Sequence, residues 1–340
     1  MRDLAHYSLL AHNTFGIDAK CERFLEYSTV DEAVQVAALL RSLAKPLLLI
    51  GSGSNLLLTR DFQGIVVHSA IKGIEVVSPQ DEPAKVFLRC GSGEVWDDVV
   101  DHAVAHGFFG AENLSIIPGE VGASAIQNIG AYGCEAADII HKVEAVELAT
   151  GKLVSFSNEE CGYAYRQSRF KNEWKNRYLI THVTYRLSRT FTPKLEYGNI
   201  RTSLVAQGIE HPTARQVRQT IIDIRNAKLP DPKVTGNGGS FFMNPIVPKE
   251  KYDELAALYP GMPHYTVDAT REKIPAGWMI EQCGWKGRSL GRAGVHDKQA
   301  LVLVNLGGAT GQEIVTLCDT IRHDVREKFG IDIHPEVNIV

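Results

Sequence analysis

The sequence predicts a mixed helix-and-strand protein folded as two or three domains. Three observations carry this. The 340 residues exceed what one hydrophobic core usually serves. Helix and strand signals alternate along the chain. From about residue 188 to 212, through RTFTPKLEYGNIRTSLVAQGIEHP, the periodicity lapses and then resumes, which marks a linker or excursion.

Thr29 with Glu32 forms a capping box ahead of Ala33, Val34, Ala37 and Leu40, and that helix should stop before Pro46. LLLI at 47–50 reads as a buried strand, followed by a Gly-rich turn at 51–55 and by strands IVVH at 65–68 and KVFLRC at 85–90. A helix runs from about 93 to Gly107, whose place suits a left-handed cap. Residues 110–133 fit neither period and read as a structured loop. VEAVELAT, the Gly151 turn and KLVSF form a hairpin, and YLITHVTYRL at 178–187 continues the strand pattern. In the second domain Thr213 with Gln216 opens a helix carrying Val217, Ile221 and Ile224 on one stripe, ended by Pro230 and Pro232. ALVLVN at 300–305 reads as a strand. Thr310 with Glu313 caps a helix whose Ile314, Leu317, Cys318, Ile321 and Val325 share a face, Gly330 closes it, and IDIHPEVNIV supplies a last strand.

Composition excludes several classes. Hydrophobic residues at 44% and charged residues at 22% describe an ordinary soluble protein, and a net charge of -4 argues against a general nucleic-acid binder. The six cysteines, at 21, 90, 134, 161, 283 and 318, show no C-x-x-C spacing. With no apolar run of about eighteen residues and no signal-type start, the expected location is cytoplasmic.

Two glycine segments invite a ligand. GSGSN at 51–55 follows a strand, where closely spaced amides can form an anion nest; as an isolated motif, a plain tight turn accounts for it slightly better. The dinucleotide fingerprint fails because Leu56 stands where its third glycine belongs, and a Walker loop fails for want of lysine. IIPGEVGASAIQNIGAYG at 116–133 holds neither Lys nor Arg, so phosphate there must be met by backbone amides, and a planar cofactor can lie against its glycines. Gln127 and Asn128 add side-chain donors or acceptors. A mobile surface loop fits poorly with Ile116, Ile117, Val121, Ile126 and Ile129 spread through it.

GSGSN, then IPGEVGASAIQNIGAYG, YAYRQSRFK, RNAKLPDP, GNGGSFFMNP and terminal HPEVNIV, in that order, resemble the UDP-N-acetylenolpyruvoylglucosamine reductase (UDP-N-acetylmuramate dehydrogenase) family over nearly the whole chain. The resemblance implies an α+β protein: a two-lobed FAD-binding domain of the vanillyl-alcohol-oxidase type plus a smaller α+β substrate-binding domain. Lobe 1 would cover 1–70 and lobe 2 would cover 71–211, with a tyrosine-loop excursion near 188–205 as in the longer family variants. The substrate domain would take 212–330, and 331–340 would be a C-terminal strand carrying a catalytic glutamate. FAD would be held by Gly51, Ser52, Gly53, Ser54 and Asn55 and by Pro118, Gly119, Gly122, Ala123, Gln127, Asn128, Ile129 and Gly130.

The reaction implied is NADPH-dependent, FAD-mediated reduction of the enolpyruvyl ether of UDP-N-acetylglucosamine enolpyruvate to UDP-N-acetylmuramate, in peptidoglycan precursor synthesis. Hydride reaches the terminal alkene carbon and leaves the other carbon a carbanion beside a carboxylate. A serine hydroxyl is a feeble acid, sensible as a donor only to so strong a base, and Ser240 after the Gly238–Gly239 pair matches that part. It is not a nucleophile elbow, because Phe242 stands where glycine is needed. Arg166 matches the family arginine, whose planar fork can grip the carboxylate. Glu336 matches the family glutamate, expected to act protonated beside that anion. Taken apart from their motifs, the three read as a turn serine, a surface arginine and a strand-end glutamate.

Tyr132, Tyr197, Lys228, Asn244 and Gln299 fall on positions associated with the nucleotide sugar, with Tyr132 gating the flavin side and Tyr197 on a loop that folds over the nucleotide. Lys228 also reads as a cation matching a helix end. Asp98, His102 and His106 share a helix face but no further ligand cluster accompanies them, so no metal is expected. His334 reads as a tuning or edge residue, Trp278 and Trp285 as packing, and Arg288 and Arg292 as phosphate contacts or solvated cations. No protein partner, membrane or nucleic acid is implied. Two other functions fit less of the sequence: another FAD-dependent oxidoreductase of this fold, which would lack the GNGGSFFMNP module, and a non-catalytic nucleotide-sugar binder.

Overall fold

The computed structural model describes residues 1–77 and 82–340. Two units divide the chain: unit 1 is Met1–Tyr7, Cys21–Ser52 and Gln63–Ala227, and unit 2 is Ser8–Lys20, Gly53–Phe62 and Lys228–Val340. The two units are therefore interleaved along the chain. Segments 8–20 and 53–62 go with unit 2 because the early segment is bonded into its strands: Thr14 Oγ1 donates to Asn237 O at 2.6 Å, and Asn305 Nδ2 donates to Phe15 O at 2.9 Å.

In unit 1 a four-stranded sheet contains β1 (Arg2–Ser8), β2 (Lys20–Tyr27), β3 (Leu47–Ile50) and β4 (Phe62–Ser69) in the order β1-β2-β4-β3. β3 runs parallel to β4 from Leu47↔Ile65 to Ile50↔His68. The LLLI strand is only partly buried, as expected of an edge. A five-stranded antiparallel sheet holds β5 (Ile74–Val77), β6 (Lys85–Gly91), β7 (Ile140–Glu147), β8 (Leu153–Ser157) and β9 (Tyr178–Ser188) in the order β8-β7-β9-β6-β5. Helix α1 (Val30–Arg41) starts as expected at Thr29, whose hydroxyl accepts from Glu32 N, but Glu32 caps Ser28 rather than Thr29. Helix α2 (Trp96–Ala105) ends beside Gly107, at φ +72°.

The segment expected as a loop, 110–133, contains a short helix, α3 (Val121–Gln127). Its Gly, Ala and Ser residues hide the helical period, while Val121 and Ala125 bury one side. The excursion contains α4 (Ile200–Ala206), with Ile200 and Leu204 buried four apart. Leu195, Ile200 and Leu204 form one apolar cluster with Val217 and Ile221 of α5 (Ala214–Lys228), with Ile224 and Tyr132 packed against it. The boundary expected near 212 consequently falls at 228, since the apolar stripe of α5 is spent inside unit 1. Arg218 reinforces this placement: the residue is 9% exposed, and its guanidinium meets both Asp97 carboxylate oxygens of α2, at 2.7 and 2.9 Å.

In unit 2, β10 (Gly236–Ser240) edges a four-stranded antiparallel sheet, and β11 (Ile246–Pro248), β12 (Tyr265–Asp268) and β13 (Arg271–Lys273) form another in the order β11-β13-β12. β14 (Ser289–Leu290), β15 (Ala293–Val295) and β16 (Val302–Asn305) complete the first, in the order β10-β16-β15-β14. The helices are α6 (Lys249–Leu258), α7 (Ala276–Gln282) and α8 (Gly311–Phe329). α8 has both halves of its Thr310–Glu313 capping box, and Gly330 at φ +66° ends it. The last strand is shorter than expected. Asn338–Ile339 pairs in a ladder parallel to 56–57, and upstream of it Pro335 makes a lone bridge with Phe242. Among the described residues no helix is long and apolar enough to cross a membrane.

Candidate active site

In unit 1 Arg166 is held by the main chain of the glycine segment. Its Nη2 donates to Gly130 O at 2.6 Å and its Nη1 to Asn128 O at 3.3 Å, while Lys171 Nζ donates to Arg166 O at 3.2 Å. A Cβ on Gly130 would lie 2.6 Å from Arg166 Nη1 and 2.8 Å from Cys134 O, so only glycine permits this approach. Asn128, expected as a flavin contact, has its side chain engaged within the protein: Nδ2 donates to Glu135 Oε2 and Ala164 O, and Oδ1 accepts from Ala137 N. Its φ of +46° turns the chain so that its carbonyl and that of Gly130 both meet the guanidinium. Six non-glycine residues have positive φ among those described, and Ile116, Asn128, Tyr132 and Arg166 are four of them. Strain of this kind collects at functional sites.

The remaining 118–130 residues form a tightly joined surface. Gly119 O accepts from Trp96 N, Gly122 N donates to Ser92 O at 2.8 Å, and a Cβ on Gly122 would come 3.0 Å from that of Ser92. Ala123 and Glu120 lie against Gly51. Gln127 is the exception, because its Oε1 is buried with no hydrogen-bond partner. An acceptor left so is costly unless a ligand fills it.

Tyr132 and Tyr197 are drawn together. A Cβ on Gly133 would sit 3.2 Å from Tyr197 Cβ, and one on Gly198 would sit 3.4 Å from the Tyr132 ring. Burial raises the Tyr132 phenol pKa against the opposing pull of Arg225. Three features escaped the sequence reading. Buried Asn113 donates through Nδ2 to Tyr132 O and Lys194 O, both at 2.9 Å, tying the excursion to Tyr132. Arg225 keeps a buried Nε without a partner, and burial lowers its pKa. His68 is clasped between Glu26 and Glu120. None has a local motif. Asn113 follows an acidic residue in an irregular stretch, and the His68 partners lie 42 and 52 residues away.

Unit 2 gathers Ser240, Glu336 and Asn55. Gly239, at φ +71°, makes a bulge where β10 slips register against β16 between Asn237 and Ser240, and Asn237 Oδ1 accepts from Gly239 N at 2.9 Å. Gly238 serves packing: a Cβ there would lie 2.7 Å from the Phe15 ring. Ser240 is exposed, and Phe241 and Phe242 beyond it are buried anchors. Phe241 O accepts from Glu336 N at 2.7 Å and Met243 N donates to His334 O, which sets Glu336 beside the serine-bearing strand. Asn55 Nδ2 donates to Glu336 O, and Asn338 N donates to Asn55 O. Gly53 has no room for a side chain, since a Cβ would fall 1.9 Å from His12 O.

Asn244 and Gln299 both border the first turn of α7. Asn244 Oδ1 accepts from Ala276 N at 2.9 Å, and Gln299 Oε1 would lie 3.2 Å from a Cβ on Gly277. Lys228 is exposed at the end of α5. Trp285 is buried and donates to Asp324, Trp278 packs on Tyr259 and Phe329, Arg288 stacks over Trp285, and Arg292 pairs with Glu313. His102 and His106 stack with centroids 4.1 Å apart. Among the described residues no group of three His, Cys, Asp or Glu is arranged to hold a metal ion.

Known proteins match this arrangement along its length. The family model for the FAD binding domain matches residues 22–157, and that for the UDP-N-acetylenolpyruvoylglucosamine reductase C-terminal domain matches residues 231–340. A UDP-N-acetylenolpyruvoylglucosamine reductase of Bacteroides fragilis (strain YCH46) is 54% identical over 98% of this chain and 99% of its own. This chain belongs to the UDP-N-acetylenolpyruvoylglucosamine reductase family. The Burkholderia multivorans reductase is 45% identical over 98% of this chain and 95% of its own. The solved UDP-N-acetylenolpyruvylglucosamine reductase of Thermus caldophilus shares the fold at TM-score 0.68 and 21% identity, covering 99% of this chain and 98% of that one. 6-Hydroxy-D-nicotine oxidase of Arthrobacter nicotinovorans shares it at TM-score 0.55 and 13% identity, over 97% and 86%. The reductase family uses FAD, and the unfilled Gln127 acceptor within the matched FAD binding domain fits a cofactor there.

Proposed function

We propose that this chain catalyses the NADPH-dependent reduction of the enolpyruvyl ether of UDP-N-acetylglucosamine enolpyruvate to UDP-N-acetylmuramate, in the cytoplasm, for peptidoglycan precursor synthesis. The observation that carries the reading is the 54% identity over nearly full length to a reductase of that name. FAD, when bound, supplies the two-electron carrier between nicotinamide and alkene. Gly51 and Ser52, with Gly53, Ser54 and Asn55, and the 118–130 segment hold it, Gln127 through its buried acceptor. Asn128 contributes at one remove, by holding Arg166.

Arg166 grips the substrate carboxylate, and its anchored guanidinium needs little reorganisation as charge accumulates there. Ser240 Oγ gives its proton to the carbon left negative after hydride arrives. Glu336 in its protonated form donates to the same carboxylate region, since an ionised side chain would repel it. Tyr132, Tyr197, Lys228, Asn244 and Gln299 bind the nucleotide sugar. Because Asn244 Oδ1 is taken by α7, its amide Nδ2 is the group to offer a phosphate.

The test is a two-step spectroscopic assay. The purified protein should be yellow, bleach with NADPH, and regain colour on adding the enolpyruvyl nucleotide sugar. Bleaching with reoxidation only by other acceptors would point to a different oxidoreductase, and a colourless protein that binds the sugar would point to a non-catalytic binder.

A further inference from the structure

His68 lies on β4 with 8% of its surface exposed, and it touches two carboxylates: Nδ1 is 2.9 Å from Glu26 Oε2, and Nε2 is 3.2 Å from both Glu120 oxygens. A neutral imidazole carries one N–H and can donate to only one of them. Donation to both ionised carboxylates requires the imidazolium. Glu120 is the E of IPGEVG, and its Oε2 would lie 3.1 Å from a Cβ on Gly51, the first residue of the GSGSN turn. An acidic side chain therefore stands beside a turn assigned to an anionic cofactor, and the proposed function does not use it.

We propose that His68 is a positioning residue for the flavin dinucleotide: as an imidazolium it pins Glu120 and offsets its charge beside the Gly51 turn, so that FAD retention is linked to one proton. This rests on FAD being held at that turn. The other groups facing the cluster support the charge state. Glu26 is also paired with Arg2 of β1 at 2.9 Å, and the Phe24 ring stacks on His68 with centroids 6.4 Å apart. Tyr27, which lies near Glu120, is kept neutral by burial. Burial by itself disfavours the imidazolium, but the hydrogen bonds and charges of Glu120 and Glu26 outweigh it, and the His68 pKa is raised. The sign follows. A raised pKa means that the charged form is present below the ordinary imidazole range and is lost as pH rises through the folded value. Once neutral, the ring can hold only one carboxylate, and the negative charge of Glu120 beside the Gly51 turn is no longer offset.

The experiment is flavin release from the holoenzyme on dilution, followed by the fluorescence of free FAD, at mildly acid and mildly alkaline pH. For the unaltered protein the FAD Kd should rise roughly tenfold towards alkaline pH, the effect of one nearby charge at intermediate dielectric. His68→Gln should bind FAD weakly at both pH values. Glu120→Gln should bind it tightly at both, and the double variant should recover the affinity that His68→Gln loses. A merely structural histidine would give a uniform loss that Glu120→Gln does not rescue. Should His68→Gln fail to fold, the near-isosteric Glu120→Gln decides alone, because retention of the original pH dependence in that variant overturns the inference. Flavin bound with pH-independent release overturns this inference only. A protein that carries no flavin overturns the cofactor placement as well.

Discussion

Arg166 and Ser240 are prepared by different means. Arg166 has a left-handed backbone, two donors fixed on carbonyls of the glycine segment, and a fully engaged Asn128 behind those carbonyls. Ser240 is exposed, and its place is set by what lies on either side of it: the Gly239 bulge before and two buried phenylalanines after. The contrast suits the chemistry proposed for each. A group that stabilises charge should be in position before the charge appears, because reorganising it would cost part of the gain. A proton donor needs reach to one carbon at one moment, so a rigid strand bearing a small hydroxyl suffices.

The sharpest way to break this contrast is Ser240→Ala. Reduction of the enol ether should fall about a hundred- to ten-thousandfold, the usual span for general acid catalysis. Bleaching by NADPH should be unchanged, because the role proposed for Ser240 belongs to the enol-ether step alone. Loss of both half-reactions would falsify the assigned role and make Ser240 a structural residue of the strand.

Gly130→Ala tests the other side. The added methyl would overlap Arg166 Nη1 at 2.6 Å and Cys134 O at 2.8 Å, and the backbone oxygen cannot swing away as a flexible side chain can. Displacing the guanidinium by an ångström should lower kcat/KM by roughly tenfold to a hundredfold, with a stability loss of about 1–3 kcal/mol from overpacking. Stopped-flow rates and thermal melts measure the two. An unchanged rate of enol-ether reduction would show that the carbonyl anchoring of Arg166 does not matter to the reaction.

Asn113→Ala should have a smaller and more specific effect. It strips the carbonyls of Tyr132 and Lys194 of a shared donor, which should cost about 0.5–1.5 kcal/mol, the net worth of an ordinary hydrogen bond, and loosen the excursion that carries Tyr197. KM for the nucleotide sugar should rise several-fold while NADPH still bleaches the flavin at its original rate. A matched loss in both steps would mean that Asn113 supports the whole unit rather than the loop.

How much of this the sequence discloses depends on the distance over which each feature is encoded. The helix starting at Thr310 and ending at Gly330 was readable because cap, stripe and stop all lie within one stretch. Ser240 and Arg166 are proposed from ordered motifs, and GNGGS carries the glycine that makes the bulge before Ser240. The helix in 121–127 was not readable, because glycine, alanine and serine blur the period that a longer amphipathic helix would show. The interleaving of units was invisible too, since Thr14 meets Asn237 across 223 residues with no local trace in either. Asn128 shows a further limit. Its residue type suits a cofactor contact, and only the partners of its side-chain amide and of its main-chain carbonyl reveal that it braces Arg166.

The mildest prediction concerns the bulge itself. Gly239 has φ +71° and nothing within 4 Å of a would-be Cβ, so alanine there meets no steric neighbour and suffers only from the left-handed backbone. The cost should be about 1–2 kcal/mol of stability, visible as a lower melting temperature. If the bulge is what aims Ser240, the enol-ether step should weaken beyond what lost stability explains, because relaxing φ rotates the following residue. If instead the Phe241 and Phe242 anchors set the aim, the protein should melt earlier and turn over as before. Gly239→Asn separates the two, since asparagine tolerates this conformation better than alanine and should restore stability and, on the bulge account, the rate together.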